Sequence, residues 1–394
     1  MDIFIVRFVG FCSTLVGVGF ARMAFTPLSA SAIYEGVIPI TTTAIVGAML
    51  MTTYALGACC SGGLLQRIGS IRLIRGCLIL AFLCQLLELT TPSLELWLIT
   101  RGVYGLVGGC LMVAGPIIAI SAGTKQQISR TPLWTFLGIG GGALVAATLL
   151  QLPLSLSIQQ NILLLFMFVI TLSVLFVLPK ISTQKQKRHD NSIASTQPDK
   201  RVNRAVLILI VAYTFDALGY VPATIYLSDF AANQLDMGRD AGNTLWQCFG
   251  LGALVSMPIL SFIKLDKFTE VTLLFIYVIK TFALFLLFTT NQFFLLALAS
   301  FLTGLAVPAI VLLTATLLRQ WLHFSAFSSV WHKATASFSV GQAVSALAMA
   351  AIYGRTHDYE PLFKAGAMLV CVSTALIMIL TVYVYQTNRE RACT

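Results

Sequence analysis

Charge is what this chain has least of. Asp, Glu, Lys and Arg make up 10% of its residues while 58% are hydrophobic, where a water-soluble domain carries about a quarter of charged residues. No water-facing surface can be built from that composition, so a soluble globular protein is excluded. Catalytic signatures are missing too: there is no Gly-x-Ser-x-Gly, no Walker loop and no His-Glu-x-x-His, and an enzyme is not expected. The nine cysteines are an odd number without a Cys-x-x-Cys or Cys/His ligand spacing; they read as small apolar residues of the interior. Three of the four histidines, His189, His323 and His357, fall in loops or near helix ends. Neither a metal site nor a cofactor is expected. The net charge of +10 does not imply nucleic acid, because the cations sit at helix ends and form no groove-sized patch. Charge rings and filter loops, which advertise an ion channel, are absent as well.

Long apolar runs are what the chain does have. Twelve segments, at about 4–31, 41–65, 72–90, 94–122, 128–151, 158–178, 204–231, 240–263, 269–289, 292–319, 325–353 and 362–386, are each long enough for a helix to cross the roughly 30 Å hydrocarbon core of a bilayer. Their length excludes the short alternating strands of a membrane barrel, and backbone in lipid must satisfy its own hydrogen bonds. The chain is therefore expected to be an all-α, multi-pass membrane protein. Ser29-Ala30-Ser31-Ala32 has the look of a signal-peptide cleavage site, but Arg22 interrupts the preceding run, which is also too long; it is expected to remain as the first helix.

An even number of crossings puts both ends on one side. Arg7, Arg67, Arg72, Arg75, Lys125, Arg130, Lys264, Lys267, Arg319, Arg389 and Arg391 fall on that side, whereas the opposite loops hold only Arg239, Arg355 and Lys364 among several acids. By the positive-inside rule both termini face the cytoplasm. One long polar stretch, with Lys180, Lys185, Lys187, Arg188, Lys200, Arg201 and Arg204, divides the spans six and six. The expected organisation is a bundle over 1–178, a cytoplasmic linker over 179–203 that is free to touch anionic lipid headgroups, and a second bundle over 204–394. Shifting the chain by about 200 residues aligns Gly19-Phe20 with Gly219-Tyr220, Gly105 with Gly304 and Gly141 with Gly341, as a duplicated six-helix unit would; paired halves around a central site are a transporter plan.

The loop Gly62-Gly63-Leu64-Leu65-Gln66-Arg67-Ile68-Gly69-Ser70-Ile71-Arg72 resembles the Gly-x-Leu-x-Asp-Arg-x-Gly-Arg pattern of the major facilitator superfamily, and Arg101-Gly102-Val103-Tyr104-Gly105 resembles the Arg-x-x-x-Gly of its fourth helix. Gly19-Phe20-Ala21-Arg22-Met23-Ala24-Phe25-Thr26-Pro27 is similar to the first helix of the bacterial YbfB/YjiJ-like branch. The resemblance implies the major facilitator fold, a secondary transporter of the bacterial inner membrane working by alternating access, a central cavity lined by helices one, four, seven and ten, and a gating role for Gly62, Arg67, Gly69 and Arg72. Gln66 stands where the family has the Asp that latches the halves, which leaves that contact in question. Gly138 and Gly142 on helix five lack the Pro of an antiporter motif and satisfy the Gly-x-x-x-Gly of close helix packing.

Arg22, Arg101, Asp216, Lys280 and Lys333 lie inside predicted spans, where a charge costs about 2.5 to 3.5 kcal/mol unless it faces protein or water. Four cations against one carboxylate imply a positive interior suited to an anionic organic solute, a carboxylate-bearing metabolite or a siderophore-like compound. The expected substrate-binding set is Arg22, Thr26, Arg101, Tyr104, Tyr213, Tyr220, Lys280 and Lys333, chosen by shared helical faces, with Asp216 as the proton-coupling group. His332, Thr335, Ser339 and Gln342 form a polar stripe on helix eleven that interhelical hydrogen bonds would explain, and Trp246 and Trp331 suit packing. Proton-coupled uptake by a monomer is the reading; proton-driven export and a non-transporting receptor or scaffold remain open beside it.

Overall fold

A computed structural model describes residues 3–34, 40–90, 93–121, 131–149, 151–152, 154–179 and 200–393. Most of the linker, including the stretch 180–199, and the loop carrying Lys125 and Arg130 lie outside the described residues. Twelve helices are long and apolar enough to cross a membrane: α1 Ile3–Ser29, α2 Ile45–Ile68, α3 Ser70–Leu89, α4 Leu94–Ile120, α5 Pro132–Leu149, α6 Ser157–Val177, α7 Arg201–Gln234, α8 Asp240–Ser261, α9 Phe268–Thr289, α10 Phe293–Trp321, α11 Ser325–Thr356 and α12 Glu360–Thr387. They match the expected spans to within a few residues at most ends, and no strand occurs among the described residues.

Burial sorts the helices into layers. The central windows of α4 and α10 are 89% and 72% buried, and those of α6 and α12 only 28%. Helices α4 and α10 therefore form the inside of the protein. The outer faces of α6 and α12 present Phe166, Phe168, Phe176, Met378 and Ile379 to the surroundings, as lipid contact requires.

Glycines set the closest helix approaches, because lipid gives no hydrophobic drive for helices to associate and packing must supply it. A methyl group on Gly57 of α2 would collide with the backbone of Leu106 on α4, and one on Gly109 would collide with that of Tyr54. The second half repeats both contacts: Gly252 of α8 meets the backbone of Phe301 on α10, and Gly304 meets that of Phe249. The shift is 195 residues in every case, from 57 to 252, 106 to 301, 109 to 304 and 54 to 249. This corrects one sequence match: the counterpart of Gly304 is Gly109, not Gly105. In α1 and α7 the shift is 200, since Thr14 and Thr214 occupy equivalent places, Thr14 bonding the Thr135 carbonyl of α5 and Thr214 bonding Ser337 of α11 at 2.5 Å. Gly341 lies against Thr214 and Ala217 as Gly138 lies against Thr14. Gly19 breaks the pattern, meeting α5 at Gly142, whereas Gly219 meets α12 at Gly366.

The halves touch along two long seams. Gly140 and Gly250 let α5 and α8 meet backbone to backbone, against Ala253 and Leu144 respectively. On the other seam α2 meets α11, where Met51, Ala55, Ala343 and Ala346 pack with Val221 of α7. At the end of α2 nearest the chain termini, the His332 ring lies on Gly62 and its Nε2 bonds the Cys59 carbonyl at 3.0 Å. Gly69 takes φ +78 in the turn between α2 and α3, a left-handed conformation that favours glycine. Gln66, Arg67 and Arg72 are exposed. Of the expected gating residues, Gly62 is the one for which a contact with the other half is seen among the described residues, through the His332 ring.

Candidate functional site

The two helices that meet at Tyr220 each carry a feature that interrupts regular α-helical hydrogen bonding. Leu15–Met23 of α1 winds as a π-helix, a wide turn that occurs frequently at functional sites. At the 200-residue counterpart of Arg22, α7 carries Pro222 inside its helix, which removes a backbone donor. The π segment ends in Arg22.

Arg22 is buried, and its Nη2 donates to the Tyr220 hydroxyl of α7 at 2.6 Å. The same oxygen takes the amide of Gln342 from α11. The Tyr220 ring is flanked by two cations, with the Lys280 ammonium 4.3 Å and the Arg22 guanidinium carbon 5.4 Å from its centroid. Lys280 of α9 in turn pairs with Asp216 of α7 at 2.6 Å, both side chains inaccessible to solvent. Tyr213 stacks on Phe338 at 4.2 Å, and Phe338 also lies 5.9 Å from Tyr220.

These groups close around a small cavity lined by Arg22, Met23, Tyr54, Met112, Tyr213, Tyr220, Val307, Thr335 and Phe338, with a volume of about 20 Å³. That is room for about one water. Nothing larger fits there as the helices stand. A larger open cleft of about 450 Å³, lined by Met237, Asp240, Ala241, Thr244 and Phe293 at the far ends of α8 and α10, has no cation on its wall.

The structure divides the expected binding set. Arg22, Tyr213 and Tyr220 line the cavity, and Asp216 with Lys280 stands directly behind its wall. Thr26 lies farther along α1, its hydroxyl 3.4 Å from the Thr224 carbonyl of α7. Arg101 is elsewhere. It pairs with Glu88 of α3, which also accepts the Thr100 hydroxyl at 2.6 Å, and it lies over Trp97 and Tyr104 at 5.0 and 5.3 Å. Tyr104 bonds Gln85 at 3.1 Å and does not reach the cavity. Lys333 is exposed. The expected excess of four cations over one carboxylate is thus corrected: Lys333 leaves the interior and Glu88, 2% exposed, enters it. What remains is one uncompensated cation, Arg22, which no carboxylate approaches within ion-pair distance among the described residues.

Sequence reasoning missed Glu88, Tyr54 and Phe338 as site or pairing residues, and read Gln342 only as part of a polar stripe. Glu88 had a signal. A short connection makes α3 and α4 an antiparallel hairpin, which brings positions just before and just after the turn to one level. The tryptophans behave as packing residues: Trp331 is edge-on to Phe136 at 6.1 Å and Trp246 stacks on Phe249 at 4.8 Å.

Comparison with known proteins agrees with this architecture. No curated protein matches the sequence. Among solved structures, the crystal structure of the human organic anion transporter MFSD10 (TETRAN) is similar in fold, with a TM-score of 0.72 and 14% identity over 96% of this chain and 100% of that one. The sequence profile described as "Uncharacterised MFS-type transporter YbfB" matches residues 14–378. With twelve spans, a central buried arginine and a profile match over nearly its whole length, the chain belongs to the YbfB family of MFS-type transporters.

Proposed function

We propose that this transporter carries a small organic anion by alternating access, with Arg22 as the group that receives the anion. The observation that carries the reading is the state of Arg22: a buried guanidinium at the meeting of α1, α7 and α11, bonded to a neutral phenol and to no carboxylate. A buried cation without a counter-ion is costly unless a charged ligand joins it, and a guanidinium fork suits a carboxylate. The structural relative shares a fold; the anion reading rests on Arg22 alone. Protonation of Asp216, held by Lys280, is the proposed coupling event, in the direction of uptake. The protein acts as a monomer in the inner membrane of a bacterium, with both termini and the 180–199 segment in the cytoplasm.

The test is a screen. Metabolites that differ between cells with and without the gene are added to the purified protein and scored by the rise in melting temperature. Organic anions should stabilise it, Arg22→Ala should weaken their binding by about 1.5 to 3 kcal/mol, the range for hydrogen bonds to charged groups, and Arg22→Lys should restore part of it. Stabilisation by neutral or cationic compounds alone, or unchanged anion affinity in a folded Arg22→Ala, sinks the reading. Cysteine labelling of the 180–199 segment from the periplasmic side would overturn the orientation.

A further inference from the structure

Two donors from opposite halves of the protein point at one oxygen. Arg22 of α1 and Gln342 of α11 both donate to the Tyr220 hydroxyl, the arrangement that an anionic oxygen would receive between them. Valences are left over around it. Arg22 Nε and the Thr335 hydroxyl, both able to donate, are buried without a partner, and both residues line the same cavity. A guanidinium has five N–H donors, and a single phenol oxygen leaves most of them idle. Unfilled donors in a buried place cost stability unless something larger fills them. The site is shaped for more than a tyrosine.

We propose that Tyr220 is the internal ligand of an anion subsite formed by Arg22, Gln342 and Thr335. Its hydroxyl holds the position of the solute's anionic oxygen, the halves close over it when no solute is present, and the solute enters by displacing it. This rests on the reading of Arg22 as the anion receptor. The physical reason is the cost of closing an empty carrier: without Tyr220, closure would bury the guanidinium with no acceptor, and the phenol oxygen and ring face reduce that cost. A carrier that closes empty can reset without cargo. It can carry a net flux of solute down the driving gradient, where a carrier lacking such a stand-in would be confined to exchange.

The experiment uses the full chain in lipid nanodiscs with no solute added. A Val307→Cys reporter on the cavity wall is alkylated with N-ethylmaleimide and followed by mass spectrometry of its peptide. Tyr220→Phe keeps the ring and removes the oxygen; alkylation should rise about tenfold, the factor that one hydrogen bond to a charged group supplies, in protein that still gives a single cooperative melting transition. Gln342→Leu should move the rate the same way and serves if Tyr220→Phe does not purify. Alkylation at the parent rate in the variants would overturn the proposal. In a second arm, benzoate, succinate and citrate are titrated into the parent and Tyr220→Phe proteins. Tighter binding to Tyr220→Phe supports displacement, and equal or weaker binding counts against it. If none of the three binds either protein, the alkylation rates alone decide whether Tyr220 closes the empty site.

Discussion

Asp216 and Lys280 form a buried pair whose removal separates structural from transport roles. At 2.6 Å two unit charges attract by on the order of 6 kcal/mol at an effective dielectric of 20, but desolvating each ion costs several kcal/mol. The net worth of the pair is therefore small, while breaking it is expensive, because the survivor stays buried and alone. Asp216→Asn should destabilise the protein by about 3 to 5 kcal/mol, and Lys280→Met by a similar amount. The double variant should regain most of that loss, since neither charge is then left unpaired. The assay is a double-mutant cycle on the unfolding midpoint in mild detergent. Additive losses would refute the pairing argument. Transport then tests coupling: in liposomes Asp216→Asn should still exchange labelled for unlabelled solute yet fail to accumulate it under an imposed proton gradient. Recovery of stability in the double variant without recovery of proton-driven accumulation assigns the carboxylate to coupling. Full accumulation by Asp216→Asn would remove it from the mechanism.

The second buried pair predicts the opposite separation. Glu88→Gln should cost about 3 to 5 kcal/mol by stranding Arg101, and Glu88→Gln with Arg101→Met should recover it, while solute affinity of the folded variants stays at the parent value because neither residue lines the cavity; a large affinity loss would place Arg101 in the site after all. Gly57→Ala and Gly252→Ala should each cost about 1 to 3 kcal/mol by forcing α2 from α4 or α8 from α10, and the two losses should be alike because the contacts are alike. A parent-like melting temperature in either would show that its helices are not held backbone to backbone.

The helices were legible because the bilayer fixes their length: a run such as 292–319 has one use, and α10 occupies Phe293–Trp321. Arg22 was legible for the same reason, as a charge that lipid penalises. Partners were harder to see. Glu88 sits near a span end, where composition alone places it in headgroups, and only the fold of the hairpin carries it against Arg101. Lys333 looked internal by its number along the helix, but rotation about the helix axis decides exposure: the stripe of Thr335, Ser339 and Gln342 turns inward, and Lys333 lies off it, exposed. The repeat was half visible. A constant shift of 200 aligned Gly19 with Gly219, whose contacts differ, and could not find Gly57 and Gly252, because connections of unequal length make the shift 195 in one pair of helices and 200 in another. Tyr220 was found by its face of α7; that its oxygen binds Arg22 depends on how two halves dock, which no local pattern records.

The α5–α8 seam has a mechanical meaning. At Gly140 and Gly250 each helix offers bare backbone, and no side chain of either residue rises to interlock with its neighbour. At those two points the contact behaves as a plain bearing: it carries load through close approach, with no glycine side chain to shear when the two surfaces tilt. The α2–α11 seam is different, because the His332 ring rests on Gly62 and must lift from it before that end can open. A carrier that rocks would turn about the smooth seam and unlatch at the other, so that bulk added at Gly140 would jam every stage of the cycle, whereas loss of the His332 ring would free only one.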